Sequence, residues 1–591
     1  MRSREELLYR LGQEAGNLWL YVSRPRWTSK GPIGTRGLPD GQSIAQALRG
    51  TAYAAEVERT AEAIVKHRFP LLGIAVDTGP DIAWRRDYVS GIATRARYFR
   101  RIPYLDAHRV GDHKVIWELN RHQHWILLAQ AWLLTGRREF LDEIWAEYAS
   151  WTRQNPFQRG VNWTSALEVA FRALSWLWVL HLAGSEMPPD VHAGFIDGLY
   201  RHGLHIERNL SVYFSPNTHL LGEAVALHAL GTLVAPFPER WVELGAALVR
   251  EAIDRQIRPD GSHFEQSSYY HLYALDMFLF HAAIAGADGH YRDRLAAMAA
   301  YAADLMGPQR TLPFLGDDDG GRFFHPFGDR DRFGRATLAA CAAYLNRPEW
   351  LADAADLHEL AAWWLGERAF GMQPGKPVFS SKLYQDAGIA VMAAGPAHVV
   401  VDAGPFGAWT GGHSHSDTLS LVARAGGRDI LIDPGTFTYA GDRFERDRFR
   451  RSAAHNTVRI DGLDQASPGG TFRWSGRPEV RILDWRGSPA EDFLAAECRY
   501  SGFTHRRHVL FRKPDVLEVE DFVDGPAGNH VVEQFWHLAC DNDAVRTSDP
   551  AVRITGWRSR AYGHREPAPV LRVLKRGPLP MKLSATVLLR P

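Results

Sequence analysis

Cysteine is scarce in this chain. Only three of its 591 residues are cysteine, and they are far apart, at Cys341, Cys498 and Cys540. This spacing excludes a disulfide framework and a cysteine-based metal site. Long apolar runs are also missing: no stretch of about 18 uninterrupted apolar residues occurs, so no membrane-spanning helix is predicted. Residues 1–27 carry charges throughout and lack the apolar core of a signal peptide. We therefore expect a cytoplasmic protein, or a periplasmic or secreted one if a leader has been removed.

A strong net charge is missing as well. Lys and Arg number 69 against 68 Asp and Glu, which gives a formal net charge of +1. This balance gives no general reason to expect a nucleic-acid or membrane partner. Aromatic residues, in contrast, are plentiful, with 20 tryptophans. Tryptophan faces often line sugar-binding clefts, although most tryptophans of a helical protein pack in its core.

The length and the periodicity of the chain predict two domains of different class. A chain of this length is too long to fold around a single hydrophobic core. Up to about residue 370 apolar residues recur with helical spacing, and short loops join the segments 121–151, 163–184, 217–234, 240–257, 267–286 and 291–306. Consecutive helical hairpins of this kind favour a ring of αα-hairpins over a single helical bundle. After the linker-like stretch 371–382, short β-branched runs alternate with Gly, Pro and Asp turns, a pattern typical of an antiparallel sandwich. We predict an α+β multidomain protein, with an (α/α) toroid at 1–372 and a β-sandwich at 373–591.

Two segments of the helical half combine helix starts with polar side chains. In 215–230, Asn217 is a predicted helix N-cap and His219 lies in the first turn. Such donors can hold a carboxylate, or they can be an ordinary cap and a surface histidine. In 258–278, Glu265 precedes Tyr269 and Tyr270 at the start of another helix. A tyrosine here is by default part of the core, whereas in a cationic pocket its phenol pKa could fall enough for it to act as a base.

Other polar segments of this half have simple structural explanations. Glu168 and Arg172 have the i,i+4 spacing of an ion pair on a helix. The acidic turn 314–322 could bind a cation, but a solvated loop is the preferred interpretation.

The segment 411–439 of the second half brings histidines and carboxylates together. His413 and His415 are two residues apart and would share a face if this piece were a strand. Asp433 ends a nearby apolar run, and His455 begins another. Two histidines and one carboxylate suit Zn²⁺, but a proton-transfer site or polar pairing at a strand edge fits the same pattern. The arginine-rich segment 443–451 is a solvated face or a surface that collects an anionic polymer.

Several of these motifs, taken in order, resemble the heparinase II/III-like polysaccharide lyases and related toroid-plus-sandwich lyases. The matching segments are 117–121, 163–172, 217–224, 260–271, 411–417, 433–439 and 451–462. The resemblance implies that Asn217 and His219 contact a uronate carboxylate and that Tyr270 and His413 transfer protons. It also implies that a zinc ion, structural in the family, is held by His415, Asp433 and His455. We expect further substrate contacts from Asn120, Arg121, Trp163, Glu168, Arg172, Glu265, Tyr439 and Arg451.

The resulting hypothesis is a lyase that cleaves uronic-acid polysaccharides by β-elimination and leaves a 4,5-unsaturated uronate. Glycosaminoglycans such as heparan sulfate, chondroitin or hyaluronan are the leading substrates, followed by alginate or a bacterial exopolysaccharide. The partner is then an anionic polysaccharide or oligosaccharide, and the oligomeric state is left open. A glycoside hydrolase is an alternative, with carboxylates from Glu265 and the Asp317–Asp319 turn. A non-catalytic carbohydrate-binding protein is another.

Overall fold

A computed structural model describes residues 3–28, 33–325 and 332–590 of the chain. Residue 1, where the predicted toroid domain begins, and residue 591, where the predicted sandwich domain ends, lie outside the described residues. In the described part, fifteen α-helices precede the β-rich region. They are α1 Arg4–Ser23, α2 Gly41–Leu48, α3 Ala52–Val65, α4 Ala107–Val110, α5 His113–Asn120, α6 Gln123–Thr135, α7 Glu139–Gln154, α8 Ala166–Ala183, α9 Pro189–Arg208, α10 Thr218–Leu233, α11 Glu239–Gln256, α12 Ser268–Ala285, α13 Gly289–Met306, α14 Phe333–Leu345 and α15 Ala361–Leu365.

The helices form a closed ring because two kinds of helix alternate along the chain. Helices α6, α8, α10 and α12 are apolar on all faces and almost wholly buried, whereas α7, α9 and α11 bury one stripe only. A helix that is apolar on every side must be covered on every side. The buried helices accordingly pack against one another in sequence, and α15 contacts α2, which contacts α6 and closes the ring. The predicted toroid is confirmed.

Helix α8 and its C-terminal extension form one segment, Ala166–Glu186, that is long and apolar enough to cross a membrane by length and composition alone. Neighbouring helices cover it, since 94% of its most apolar window is buried. Its apolar composition is therefore accounted for by its central place in the ring.

The strands follow an irregular stretch after Ala369 and pair antiparallel throughout. A hairpin in the helical half contributes β1 Arg68–Leu71 and β2 Ile74–Asp77. The remaining strands are β3 Lys382–Tyr384, β4 Ile389–Ala394, β5 Ala397–Asp402, β6 Leu421–Ala425, β7 Arg428–Leu431, β8 Val458–Ile460, β9 Ser467–Gly470, β10 Arg473–Ser475, β11 Glu479–Gly487, β12 Glu491–Tyr500, β13 Phe503–Arg512, β14 Val516–Asp524, β15 Asn529–His537, β16 Val545–Thr547, β17 Ala551–Ala561, β18 His564–Pro578 and β19 Met581–Leu588; helix α16, Arg443–Arg450, follows β7.

The described part of the β-rich half contains one two-stranded sheet, β9 with β10, and three larger sheets. The strand orders of the larger sheets are β3-β4-β5-β6-β7, β11-β12-β13-β14-β19-β16 and β17-β18-β15-β8. Alternate residues of β13 and β14 are buried, which is typical of a sheet with one covered face, and they join one apolar core with residues of the other two larger sheets. The predicted antiparallel sandwich is confirmed.

The two halves meet along the loop 313–322, which connects α13 to the rest of the ring. The amide of Asp317 donates to the carbonyl of His413 at 2.8 Å, and that of Asp318 donates to the hydroxyl of Thr436 at 3.0 Å. A separate apolar cluster packs α13 against the five-stranded sheet through Leu305, Ile389 and Val400. These contacts fix the walls of the cleft described next.

Candidate active site

A cleft of about 1090 Å³ separates the helical half from the sandwich. Both halves contribute side chains that the sequence predicts as functional. Those that line it are Arg121, Glu168, Asn217, His219, Glu265, Tyr270, His413 and Tyr439. A cleft of this size that joins two domains is a usual place for a ligand site.

The starts of two helices supply the polar wall of the helical half. Asn217 is the N-cap of α10: its side-chain oxygen accepts from the amide of His219 at 3.1 Å, and its side-chain nitrogen donates to Glu265 Oε1 at 2.5 Å. Burial lowers the pKa of His219 to about 4, so its imidazole is neutral at pH 7. The amide and the imidazole lie at the positive end of a helix, where an anionic group is stabilised.

Tyr270 lies in the first turn of α12 and contacts the sandwich half. Ser267 caps this helix by accepting from the amide of Tyr270 at 3.1 Å. The Tyr270 hydroxyl lies 3.1 Å from the Tyr439 hydroxyl and donates to Asp319 Oδ2 at 3.2 Å. The Tyr270 ring stacks on His413, with ring centroids 3.7 Å apart. Three groups able to move a proton thus meet in one place.

The protonation of Tyr270 differs from the sequence-based suggestion. The sequence allows a cationic pocket that would lower the pKa of Tyr270. In the structure, burial raises the pKa of this phenol well above its usual value, and the Asp319 carboxylate is the next largest cause. Burial raises the pKa of Tyr439 in the same way. Both hydroxyls therefore carry their protons at neutral pH in the free protein, and Tyr270 is suited to donate a proton.

Asp317, in the loop 313–322 of the helical half, is fully buried and contacts three side chains of the sandwich half. Its Oδ2 lies 3.1 Å from His413 Nδ1 and its Oδ1 lies 2.9 Å from His415 Nε2. The Arg446 guanidinium donates to both oxygens. Burial alone would raise the pKa of Asp317, but Arg446 and the two histidines outweigh burial and hold this pKa well below its usual value. As an acceptor, the carboxylate keeps a proton on His413 Nδ1, which leaves Nε2 able to accept one.

The segment that holds His413 and His415 is not a strand. Residues 410–420 form turns between β5 and β6, so the condition under which the two histidines would share a strand face is not met. The backbone at Trp409 and Leu419 adopts positive φ values of 51° and 64°, and turns of this kind allow neighbouring side chains to diverge. His413 lines the cleft, whereas His415 is fully buried behind it.

His415, Asp433 and His455 do come together. All three are buried, and one potential ligand atom from each lies within 4.8 Å of the others. His455 Nδ1 lies 2.8 Å from Asp433 Oδ2, and among the described residues His415 Nδ1 and His455 Nε2 have no hydrogen-bond partner. Two buried unpartnered imidazole nitrogens beside a carboxylate are a donor set that fits Zn²⁺.

Four of the predicted substrate-binding residues do not line the cleft. Asn120 is buried and binds the Trp84 carbonyl, the Trp151 indole and Asn162. Trp163 and Arg172 pack together behind the cleft wall, and Arg451 is exposed and pairs with Asp464. The remaining four, Arg121, Glu168, Glu265 and Tyr439, line the cleft.

The ion pair predicted on α8 is replaced by another. Both oxygens of Glu168 accept from Arg121, at 2.6 and 2.8 Å, whereas Arg172 donates to His202 at 2.9 Å. Helical spacing alone could not show that Arg121, on the neighbouring turn after α5, lies nearer to Glu168.

Sequence reasoning gave two carboxylates and two cations of this region no role in the lyase site. The 314–322 turn was interpreted as a solvated loop, but Asp317 and Asp319 are both buried. Lys114 lies 3.2 Å from Asp319 Oδ2. Arg446 belongs to the arginine-rich segment 443–451, for which the sequence predicts a solvated face or a surface that collects an anionic polymer. The i,i+4 spacing of Arg446 and Arg450, both fully buried, was a signal that one face of this run points inward.

Two family models match this chain in order. Residues 39–322 match the heparinase II/III N-terminus, and residues 376–571 match the heparinase II/III-like C-terminal domain. The chain belongs to the heparinase II/III-like family. The predicted family membership is therefore confirmed, and the two matched segments cover most of both halves of this heparinase II/III-like protein.

Curated relatives and a solved structure agree with this family. A heparin-sulfate lyase from Bacteroides stercoris is 23% identical over 449 residues, which cover 68% of this chain and 61% of the relative. A heparin-sulfate lyase from Pedobacter heparinus is 23% identical over 461 residues, covering 74% of this chain and 64% of the relative. The chain thus aligns with less than two thirds of the length of these relatives. The crystal structure of a heparinase III has the same fold, with a TM-score of 0.68 and 18% identity over 99% of this heparinase II/III-like chain and 91% of that one.

Proposed function

We propose that this protein is a polysaccharide lyase that cleaves uronic-acid-containing polysaccharides by β-elimination, with glycosaminoglycans of the heparan sulfate class as its first candidate substrates. The observation that carries the proposal is the stacked pair Tyr270 and His413 in the cleft, beside Asn217 and His219. The names of the two curated relatives point to the same substrate class.

The chemistry of a uronate explains why these groups suit the reaction. The C5 proton is α to a carboxylate and leaves only when the negative charge that develops on that carboxylate is stabilised. Asn217 and His219 offer an amide and a neutral imidazole as donors at a helix N-terminus, the kind of preorganised group that stabilises such an anion. They are also close in sequence, so α10 fixes their mutual geometry.

Proton transfer is divided between the stacked pair. His413 Nε2 removes the C5 proton, since Asp317 holds a proton on Nδ1. Tyr270, which keeps its phenol proton, donates to the leaving O4 as the C4–O4 bond breaks and the C4–C5 double bond forms. For a uronate of the opposite C5 configuration, Tyr270 would have to act as the base, and the raised pKa of its phenol disfavours that assignment. The product carries a 4,5-unsaturated uronate.

The zinc assignment remains part of this proposal. His415, Asp433 and His455 would hold the ion, and its role would be to fix the turn 411–417 against β7 and β8. Because Asp317 contacts both His415 and His413, an ion at that place would also orient the proton-transfer histidine.

A hydrolase is a weaker candidate. It requires two opposed carboxylates free to handle protons. Asp317 engages Arg446, His413 and His415, and Asp319 pairs with Lys114, so these two carboxylates are already held in ion pairs.

The experiment that tests the proposal is incubation of the protein with heparan sulfate, chondroitin sulfate, hyaluronan, alginate and an uncharged glucan. A lyase produces the ultraviolet absorbance of the conjugated uronate on at least one uronate polymer and none on the glucan. New reducing ends without this absorbance would instead identify a hydrolase. Binding without either product would identify a carbohydrate-binding protein.

A further inference from the structure

A second group of metal-binding side chains lies in the helical half, outside the cleft. His67 follows α3, and Glu143 and Glu147 lie one turn apart on α7. One potential ligand atom from each of the three residues lies within 4.8 Å of the other two. None of the three lines the cleft, so the proposed lyase chemistry does not use them.

The imidazole of His67 is oriented in the way that metal-binding histidines are oriented. Its Nδ1 lies 2.7 Å from the carbonyl oxygen of Gly79, which can only accept, so Nδ1 carries a proton. Its Nε2 faces Glu143 and lies 2.8 Å from Oε1. A histidine that donates one ring N–H to a backbone carbonyl presents the other nitrogen, in its neutral form, as a ligand.

The carboxylate of Glu147 has one oxygen without a partner. Only 2% of this residue is exposed. Its Oε2 accepts from His124 Nε2 at 2.7 Å and from the Trp125 indole at 2.6 Å, whereas its Oε1 has no hydrogen-bond partner among the described residues. A buried carboxylate oxygen left in this state is costly, and such atoms in folded proteins usually indicate an ion or a water.

The charges of the group also call for a cation. Glu143 and Glu147 place two carboxylates side by side, with the His67 imidazole against the first and the His124 imidazole against the second. A divalent ion between them would offset both carboxylates and would give Glu147 Oε1 a partner. The side chains of His67 and Glu143 keep 17% and 15% of their surface exposed, which leaves a path for an ion and its remaining waters.

We propose that His67, Glu143 and Glu147 bind one divalent transition-metal ion, through one imidazole nitrogen and two carboxylate oxygens. One nitrogen and two oxygens are donors that both Mn²⁺ and Zn²⁺ accept, and water completes the coordination. This site is separate from the group formed by His415, Asp433 and His455.

The position of the site gives the ion a structural role. His67 directly precedes the hairpin β1–β2, and the amide of Gly73 at the tip of this hairpin donates to the carbonyl of Tyr562 in the sandwich at 3.0 Å. The Tyr562 hydroxyl accepts from the amide of Tyr439 at 2.8 Å. An ion that ties the base of the hairpin to α7 therefore stabilises a contact between the two halves, next to the cleft.

The test is a count of bound ions in the full-length protein. The chain is stripped with a chelator and dialysed against Mn²⁺ or against Zn²⁺, and metal per chain is measured by elemental analysis. Glu143→Gln is compared with the wild type. The control is Asp142→Asn on the same helix, because 66% of the Asp142 side chain is exposed and it lies outside the group. We expect Glu143→Gln to bind one ion per chain fewer than the wild type and Asp142→Asn to bind the same number.

A second measurement separates this site from the one formed by His415, Asp433 and His455. His455→Ala removes a ligand of the other group, so it should leave the ion at His67, and Mn²⁺ should still raise the thermal unfolding temperature of that variant. The same Mn²⁺ shift should be absent when Glu143→Gln is added. Equal metal content in the wild type and Glu143→Gln, with an unchanged Mn²⁺ shift, overturns the proposal.

Discussion

The ring of His413 stacks on the ring of Tyr270, with centroids 3.7 Å apart and planes inclined by 21°, although one residue lies in the sandwich and the other in the toroid. Neither half alone contains both of the proposed proton-transfer groups. The pair exists because the loop 313–322 binds the turn that carries His413 and places it against the first turn of α12. Catalysis in the proposed scheme therefore depends on the docking of the two halves.

Removing the Tyr270 hydroxyl should remove the acid of the reaction. We expect Tyr270→Phe to lower kcat on the best uronate polymer by about 10²–10⁴-fold, the usual contribution of a positioned acid or base, with a smaller change in KM because the ring remains. Steady-state ultraviolet assays measure both constants. Tyr269→Phe is the matched control, since that hydroxyl donates to the Gly321 carbonyl and does not line the cleft. Full activity of Tyr270→Phe would show that the assignment is wrong.

We expect Asp317 to contribute to stability through Arg446 and to activity through His413. Asp317→Asn leaves the buried Arg446 guanidinium without its counter-charge, and a broken buried pair costs about 3–5 kcal/mol of the free energy of unfolding. It also removes the carboxylate that orients His413. Urea unfolding and kcat measure the two effects.

A second substitution separates the two effects of Asp317. In Asp317→Asn with Arg446→Met, the unpaired charge is gone, so we expect much of the lost stability to return while kcat stays low. If the double variant regained both stability and activity, Asp317 would be only a partner of Arg446 and would not orient His413.

The proposed zinc ion should depend on His455 and not on His413. We expect His455→Ala to lose one zinc ion per chain and to unfold at a lower temperature, because a structural ion contributes directly to folding free energy. His413→Ala, two residues from His415 but on the cleft side, should keep its zinc and lose activity. Elemental analysis of both variants checks this, and unchanged zinc content in His455→Ala contradicts the assignment.

The sequence predicted the elements of this fold well because their patterns are local. Segment 217–234 corresponds to α10 at Thr218–Leu233, and 267–286 corresponds to α12 at Ser268–Ala285, since N-caps and apolar runs set both ends. Asn217 is predicted on the same local basis, as a helix N-cap, whereas the choice of Tyr270 over Tyr269 comes from the family resemblance. The conformation of the segment around His413 could not be predicted from periodicity, because turns with positive φ at Trp409 and Leu419 carry no periodic signal.

The partners of the site residues could not be predicted, because they depend on tertiary contacts. Asp317 and Arg446 belong to different halves, and each looks like part of a solvated charged run until the two are brought together. The same holds for Glu168, whose spacing suggested Arg172 although its partner is Arg121. Burial decides these cases, and burial of a charged residue is visible only once its counter-charge is known.

The free energy of unfolding should fall on acidification from about pH 6.5 to about pH 4. Burial lowers the pKa of His271 to about 4 and that of His398 to about 4, whereas both titrate near 6.5 in the unfolded chain. Between these values each of the two histidines binds more protons in the unfolded state than in the folded state, so the stability that they contribute is lost as pH falls through this window and the loss levels off near pH 4. Each such histidine contributes up to about 1.4 kcal/mol per pH unit.

The contribution of one histidine, His398, to this pH dependence can be measured separately. His398 lies 2.9 Å from the Asp304 carbonyl through Nε2, and a glutamine amide can donate to the same oxygen but does not titrate. Urea unfolding of the wild type and His398→Gln at several pH values between 4.5 and 7 would compare the two slopes, in the range set by the pKa of about 4 for His398 and the unperturbed value of about 6.5. We expect a shallower slope for His398→Gln, by up to one proton. Equal slopes would mean that His398 takes up its proton equally in the folded and unfolded states and is not held neutral by burial.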